Sequence, residues 1–136
     1  DVEDLTKHKT DSEEMHVTQE ACDIINNAKK NGRRIVAVGT TVQRVLETAV
    51  SADNNLKPYD GWTNKFIIPP YDFHIADAMV ANFYNPLSTM LMLTAAYGGY
   101  DLVMKAYKEA MRYNESDPSR RYRFGTFGDA MLILND

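Results

Sequence analysis

Cysteine is nearly missing from this chain, since Cys22 is the only one among 136 residues. A single cysteine cannot close an internal disulfide, so we expect a reducing, cytoplasmic location rather than a disulfide-stapled secreted scaffold. The three histidines, His8, His16 and His74, lack the spacing of a zinc site, and no metal is expected. The Gly-x-Ser-x-Gly elbow, the Gly-x-Gly-x-x-Gly fingerprint and the P-loop are also absent.

Long hydrophobic runs are missing as well. The most apolar region is interrupted by Asp77, Asn82, Asn85 and Pro86, so no segment is expected to span a membrane. The acidic start, residues 1–4, does not resemble the basic region of a signal peptide. The remaining composition, 44% hydrophobic and 25% charged, is typical of one globular domain.

An excess of positive charge, the usual mark of a nucleic-acid-binding domain, is absent because the net charge is −4. Basic residues nevertheless gather in two clusters, first Lys29, Lys30, Arg33 and Arg34, and later Arg120, Arg121 and Arg123. Short runs of this kind are usually solvated ends of helices or loops, which is the interpretation we favour. A polyanion could still meet either cluster locally.

The apolar pattern predicts helices that alternate with short strands. Residues 1–16 are polar and have no period, which predicts an arm. A helix capped by Thr18 ends at Gly32, a strand follows at 34–38, and Thr41 is available to cap the next helix. This alternation is typical of an α/β protein, with a mostly parallel sheet flanked by helices.

The second half of the chain predicts a turn-rich loop at 51–64 and strands at 66–68, 78–83 and 130–134. Asn85 is expected to cap a helix whose first residue is Pro86. A last helix at 102–113 is amphipathic. The side chains expected to face inward from it are Leu102, Val103, Ala106, Tyr107, Ala110 and Met111.

The segment from Leu87 to Tyr97 is apolar on nearly every side and needs cover from several directions. We therefore expect an incomplete part of a larger α/β domain. An apolar face near Leu91, Met92, Leu93 and Met104 would lack cover, and we expect it to cause self-association.

The most informative local signal is RIVAVGTT at 34–41. A strand that turns at Gly39 into a helix directs free backbone N–H groups to the end of the sheet, where Thr40 and Thr41 add hydroxyls. Such a place can bind a carboxylate, a phosphate or a ribose hydroxyl. A plain cap and turn is an equal alternative here, because every α/β protein contains strand-to-helix turns.

Five segments together resemble one enzyme family. They are Asp11-Ser-Glu13 after His8, RIVAVGTTVQRVLE at 34–47, FIIPPYDF at 66–73, DAMVANFYNPLSTMLML at 77–93 and YRFGTFGDAMLI at 122–133. They are similar to VGTT-x-x-R-x-L-E, NFH-x-P-x-ST-LLML and YRF-x-x-(Y/F)-GDAML of the S-adenosylmethionine:tRNA ribosyltransferase-isomerases of the queuosine pathway. The resemblance covers nearly the whole chain and corresponds to the last part, under half, of a family member. The family's N-terminal portion and inserted β-barrel domain have no counterpart in it.

The resemblance implies an enzyme that uses S-adenosylmethionine as a substrate and needs no separate cofactor. In the family, the ribosyl group passes to 7-aminomethyl-7-deazaguanine at the wobble position of tRNA and rearranges to give epoxyqueuosine. Adenine and methionine leave. The reaction needs a base beside the sulfonium and a positive surface for tRNA. This chain alone is expected to be inactive.

The same resemblance implies a set of site residues. Thr40, Thr41 and Arg44 would line a nucleoside pocket, Asn82, Ser88 and Thr89 would form its opposite wall, and Arg123 and Asp129 would complete it. The catalytic candidates are Asp11, Glu13 and Tyr84. Glu47 lies three residues after Arg44, on the same side of the predicted helix.

Two family histidines are replaced in this chain. The motif H-x-M-H-S-E corresponds to residues 8–13, where Asp11 replaces its second histidine. In the motif N-F-H, Tyr84 replaces the histidine, and Pro69-Pro70 replaces a Pro-Gly pair. Imidazole suits proton transfer near neutrality, whereas reference pKa values of about 3.9 for Asp and about 10 for Tyr do not. A gapped alignment would match Met15-His16 instead, at the cost of the register of residues 17–20.

Three hypotheses remain at this point. The first is the ribosyltransferase-isomerase, and the second is a divergent nucleoside-binding paralogue that is non-catalytic or has altered specificity. For the full-length protein, we expect weak or absent epoxyqueuosine formation unless Asp11 and Tyr84 are changed to histidine. The third is an α/β interaction fragment, in which Thr40, Thr41 and Arg44 would be buried or satisfied by the chain itself.

Overall fold

The computed structural model describes residues 12–86 and 88–135, and it contains five strands and four α-helices in these ranges. In chain order the elements are β1 (Glu13–Val17), α1 (Gln19–Lys30), β2 (Val36–Val38), α2 (Thr40–Ala49), β3 (Tyr59–Thr63), β4 (Ala78–Asn82), α3 (Thr89–Gly98), α4 (Tyr100–Ser116) and β5 (Ala130–Leu134). A short 3-10 turn, Pro118–Arg120, follows α4. The predicted α/β class is confirmed.

The larger sheet has the strand order β2-β4-β5. β2 runs parallel to β4, with Val38 opposite Val80, and β5 runs antiparallel to β4, with Asn82 opposite Ala130. The sheet is therefore mixed, with one parallel and one antiparallel pairing, rather than mostly parallel. A second, two-stranded sheet pairs β1 with β3 in antiparallel register.

Three predicted segments differ from the structure. Residues 13–16, expected in a polar arm, belong to β1, whose Met15 and Val17 enter the core, and β3 forms inside the predicted loop at 51–64. These strands pair with each other across more than forty residues, so no local pattern indicates them. The predicted strand 66–68 does not form. Ile67 is buried there, but Pro69 and Pro70 have no backbone N–H with which to continue a ladder.

Helix starts follow the available side-chain caps. The Thr18 hydroxyl accepts a hydrogen bond from the Ala21 N–H at 3.1 Å, which confirms that cap. Thr41 is not a cap, because Gly39 precedes α2 and Thr41 is already helical. Asn85 is also not the cap of α3. Ser88 instead accepts a bond from the Leu91 N–H, so α3 begins three residues later than predicted, at Thr89.

The buried stripe of α4 is narrower than predicted. Val103, Tyr107 and Ala110 pack against Phe83, whereas Leu102 and Met111 are exposed. Leu102 and Met111 each lie one residue, about 100° of rotation, outside this stripe. The apolar α3 is covered better than expected. Leu93 is 3% exposed in a cluster with Met79 and Ile133, so the prediction that it lacks cover is wrong, while Leu91, Met92 and Met104 are half-buried.

The open apolar surface lies on the sheet instead. Ile133 of β5 faces the core, and the alternate residues Leu132 and Leu134 are 63% and 61% exposed. Val36 and Val38 of β2 are exposed in the same way. The register places Val38, Val80 and Leu132 in one row across the three strands. No helix in the described part of the chain is both long and apolar enough to cross a membrane.

Candidate functional site

A cleft of about 300 Å³ opens where β2 ends and α2 begins. Gly39 forms the turn with a φ of 104°, a value that side chains other than glycine rarely adopt. Its N–H donates to the Val80 carbonyl at 2.8 Å, which ties the turn to the neighbouring strand β4. The residues that line the cleft are Glu13, Thr40, Thr41, Arg44, Lys65, Phe66, Ile67, Thr89, Met90 and Leu93.

Two helix N-termini meet at this cleft. Thr40 is the first residue of α2 and Thr89 is the first residue of α3, and both line the cavity. The first N–H groups of a helix lack intrahelical partners and carry a partial positive charge. The cleft therefore favours an anionic or hydroxyl-bearing group, such as a carboxylate, phosphate or ribose.

Arg44 holds the floor of the cleft together. Its Nη1 donates to Glu13 Oε2 at 2.9 Å and its Nε donates to the Lys65 carbonyl at 3.2 Å, while only 12% of the side chain is exposed. Its Nη2 is buried and has no hydrogen-bond partner among the described residues. A buried donor without a partner costs about 1–3 kcal/mol, and a ligand acceptor in the cleft would remove that cost.

Glu13 enters the cleft from β1. It lies on the same strand face as Met15, and it is half exposed. His16 lies on the opposite face, where its Nδ1 is 2.8 Å from Asp60 Oδ1. Glu14, His16 and Asp60 offer metal-ligand atoms within 4.8 Å of one another, but all three are exposed.

Five of the predicted site residues share the cleft: Glu13, Thr40, Thr41, Arg44 and Thr89. Ser88 lies beside it as the cap of α3. Asn82, Arg123 and Asp129 form a separate group, in which Asn82 Nδ2 donates to the Asp129 carbonyl at 3.2 Å and the Arg123 N–H donates to Asp129 Oδ2 at 2.7 Å. Asp11 lies outside the described residues.

Tyr84 does not line the cleft. It is buried in the apolar cluster that contains Ile67 and Leu93, and its N–H donates to the Tyr107 hydroxyl at 2.7 Å. Burial raises the pKa of Tyr107 despite this backbone hydrogen bond. Tyr84 therefore packs behind the wall of the cleft.

Sequence reasoning missed the wall formed by Lys65, Phe66 and Ile67. The signal was present, because the segment FIIPPYDF is one of those that carry the family resemblance, but its predicted role was a strand. The segment is irregular in the structure, and the carbonyl of the residue before it, Lys65, accepts a hydrogen bond from Arg44. Met90 and Leu93 were also missed, and they add the apolar part of the lining.

Glu47 was expected beside Arg44, but it has different neighbours. Its carboxylate is fully buried and accepts hydrogen bonds from the Tyr71 hydroxyl at 3.1 Å and from the His74 N–H at 3.0 Å. His74 Nδ1 lies 2.7 Å from the same carboxylate. Burial, and then the negative charge of Glu47, raises the pKa of Tyr71 well above its usual range. This network fixes the segment that follows Pro70 against α2.

The comparison with protein families decides where the chain belongs. A family model described as "Queuosine biosynthesis protein" matches residues 1–133. The chain belongs to this queuosine biosynthesis family. The family resemblance that the sequence motifs predicted is thereby confirmed.

Relatives with high identity carry the same enzyme name. The queuosine-family chain is 64% identical over 135 residues to the S-adenosylmethionine:tRNA ribosyltransferase-isomerase of Phocaeicola vulgatus, and 62% identical to that of Bacteroides fragilis. Each match covers 99% of this chain and 36% of the relative. The chain thus spans little more than a third of the length of these relatives.

A solved structure has the same fold. The crystal structure of S-adenosylmethionine tRNA ribosyltransferase from Thermotoga maritima matches with a TM-score of 0.77 at 47% identity. The match covers 88% of this chain and 39% of that structure. The mixed sheet and its helices are therefore an arrangement that an enzyme of this name also contains.

Proposed function

We propose that the chain is the C-terminal part of the large α/β domain of an S-adenosylmethionine:tRNA ribosyltransferase-isomerase. The full-length enzyme would transfer the ribosyl group of S-adenosylmethionine to 7-aminomethyl-7-deazaguanine in tRNA and isomerise it to epoxyqueuosine. The N-terminal part of the domain and the inserted β-barrel domain would come from the rest of that protein. S-adenosylmethionine is a substrate here, no separate cofactor takes part, and the enzyme acts in the cytoplasm.

The observation that carries this proposal is Arg44 in a cleft where two helices begin, because its Nη2 has no partner in the described part of the chain. S-adenosylmethionine offers a carboxylate and ribose hydroxyls to such donors. Thr40, Thr41 and Thr89 add hydroxyl groups that can bind the same hydroxyls. Methionine and adenine must both leave, so firm binding of the sugar between these side chains keeps the reacting carbons in place.

Glu13 is the carboxylate of the cleft, and two roles suit it. Its charge attracts the sulfonium, and a carboxylate near the adjacent carbon can remove a proton, the step with which the reaction must begin. Its contact with Arg44 Nη1 orients the carboxylate in the cleft. Asp11 lies two residues before Glu13 in the chain and is the other carboxylate that we propose for this step.

A divergent nucleoside-binding paralogue is the second candidate function. It is supported by the replacement of two family histidines by Asp11 and Tyr84, and by the burial of Tyr84 behind the cleft wall. A phenol in an apolar cluster has no route to a substrate proton. In this case the full-length protein would bind S-adenosylmethionine without consuming it.

Binding of S-adenosylmethionine to the full-length protein tests the cleft. We expect Arg44→Ala to weaken the affinity by about 10–100-fold, since a hydrogen bond to a charged group contributes about 1.5–3 kcal/mol. Arg112→Ala is the matched control, because Arg112 is exposed on α4 and pairs with Glu109. Calorimetry that gave equal affinities for the Arg44→Ala variant and the wild type would remove the cleft from the proposal.

A further inference from the structure

The loop at residues 123–129 is held closed by its own backbone. The Asp129 N–H donates to the Arg123 carbonyl at 2.8 Å, and the Gly128 N–H donates to the Gly125 carbonyl at 3.0 Å. The Gly125 N–H in turn donates to the Phe83 carbonyl at 2.8 Å. A Cβ at position 128 would lie 2.2 Å from the Arg123 carbonyl oxygen, so only glycine permits this closure. The loop is therefore ordered and not an open, flexible connection.

Phe127 stands at the tip of this closed loop with 99% of its side chain exposed. The rings of Phe83 and Phe124, by contrast, stack with centroids 5.3 Å apart. An aromatic ring in solvent loses the favourable burial that places most phenylalanines inside proteins. Because the backbone around it is fixed, the loop presents the ring outward, where it is placed to meet a partner surface.

The segment that leads into this loop is basic, and its arginines line one cavity together with Tyr122 and Asp129. Arg120, Arg121 and Arg123 are all exposed, and none of their guanidinium groups pairs with a carboxylate in residues 12–86 or 88–135. Tyr122, between them, is also partly exposed. Three free arginines next to exposed aromatic rings match the charge and the flat bases of single-stranded nucleic acid.

This surface lies at the same end of the sheet as the cleft. Asn82, the last residue of β4, donates to the Asp129 carbonyl, and the neighbouring parallel strand β2 ends at Val38, directly before the turn that opens the cleft. An RNA base in reaction at the cleft would place the adjoining nucleotides of its loop over the region of residues 120–129.

We propose that Phe127 is a stacking platform for an unpaired base of the RNA substrate, while Arg120, Arg121 and Arg123 bind the phosphates beside it. The proposal rests on the proposed function, because it names where that enzyme holds its RNA. Base stacking on an aromatic side chain is tolerant of sequence, so the platform binds a base next to the modified one and does not read its identity.

The test measures binding of an anticodon stem-loop RNA to the full-length protein at one fixed salt concentration. Phe127→Ala should weaken the RNA affinity by about 5–100-fold, the range for loss of one stacked base. Phe127→Trp should keep the affinity, and Phe127→Leu, which is apolar but cannot stack, should lose it as alanine does. Tyr100→Ala, at an exposed aromatic on the opposite end of α3 from the cleft, is the control and should bind as the wild type does.

Two further readouts separate the alternatives. Melting temperature and S-adenosylmethionine affinity should be unchanged in Phe127→Ala, because the ring is 99% exposed and so packs against none of the described residues. A lower melting temperature, with Phe127→Leu as good as Phe127→Trp, would show that the ring packs against another part of the protein and would overturn the platform. RNA affinity equal to wild type in Phe127→Ala would also overturn it, while turnover of tRNA by the wild type would leave the proposed function intact. A wild type that neither binds nor modifies tRNA would overturn both.

Discussion

Arg44 joins three parts of the chain through one guanidinium group. It lies on α2, contacts Glu13 of β1 through Nη1, and reaches the Lys65 carbonyl after β3 through Nε. Half of the Glu13 side chain is exposed, so this ion pair adds little to stability. Its effect is geometric, because it fixes the direction of Nη2, which has no partner among residues 12–86 and 88–135.

The sequence predicted these residues to different degrees. Thr40, Thr41, Arg44 and Thr89 follow from motifs that also set their local structure, namely a strand, a glycine turn and a helix start. Lys65 could not be predicted, because its contribution is a backbone carbonyl, which no residue type reveals. The burial of Tyr84 could not be predicted for a different reason. It depends on how α3 and α4 pack against β4 and not on any pattern near Tyr84 in the sequence.

Tyr97 gives a pH-dependent prediction. Its hydroxyl donates to the buried Ala76 carbonyl at 3.0 Å, and burial, with a smaller contribution from Asp77, raises the pKa of Tyr97 to about 12. In the unfolded chain a tyrosine titrates near pH ~10. The neutral phenol therefore makes its full contribution to the free energy of unfolding below pH ~10, and this contribution is lost as the pH rises through about 12.

We expect Tyr97→Phe to lower the free energy of unfolding at pH 8, since the Ala76 carbonyl loses its donor. The difference from the wild type should narrow by on the order of 2 kcal/mol between pH 10 and pH 12, because only the wild type loses this contribution there. Urea unfolding of the full-length protein at several pH values measures it, with Tyr100→Phe as the control for removal of a tyrosine. A difference that stays constant up to pH 12 would contradict the account.

At the scale of elements, local signals placed the helices and β5 well, and long-range pairing decided the rest. β5 forms at residues 130–134 as predicted, because AMLIL is apolar and bounded by polar residues. β1 and β3 are polar on one face, and each forms because it pairs with the other, with Glu13 opposite Thr63. The start of α3 was displaced from Pro86 to Thr89 by a competing cap, Ser88.

The Ser88 cap gives a prediction for α3, the helix that forms one wall of the cleft. Ser88→Ala should lower the free energy of unfolding by about 1 kcal/mol, because the Leu91 N–H loses its acceptor. Ser88→Gly should cost only a few tenths of a kcal/mol, since glycine is tolerated at this position. Equal costs for the two substitutions in denaturant titrations would mean that the hydroxyl does not stabilise the helix.

At the scale of the whole molecule, the exposed sheet face formed by Val36, Val38, Leu132 and Leu134 requires a partner surface. Apolar surface left in water costs on the order of 25 cal/mol per Å², and large patches are rarely left in solvent. In the full-length protein, we expect the rest of the α/β domain to cover this face. The sequence had indicated an uncovered surface but placed it on α3 and α4, because helical apolarity is easier to see than alternation in short strands.

The isolated chain should therefore associate with itself. Sedimentation of the 136-residue chain should show dimers or larger species at high concentration, and Leu132→Glu should shift it toward monomer. Ile24→Glu, at an exposed position of α1, is a control of similar exposure. A monomer at high concentration would show that this part of the chain is stable with its sheet face open.

The most direct test of the central claim is the analysis of tRNA after incubation with full-length enzyme and S-adenosylmethionine. The tRNA carries 7-aminomethyl-7-deazaguanine at the wobble position, and mass spectrometry of its nucleosides is combined with measurement of free adenine. Although two family histidines are replaced, we predict epoxyqueuosine and adenine in equal amounts from the full-length protein, and neither from the 136-residue chain alone. Bound S-adenosylmethionine with no adenine released, and epoxyqueuosine formed only after Asp11→His and Tyr84→His are introduced together, would contradict the claim and identify a divergent paralogue.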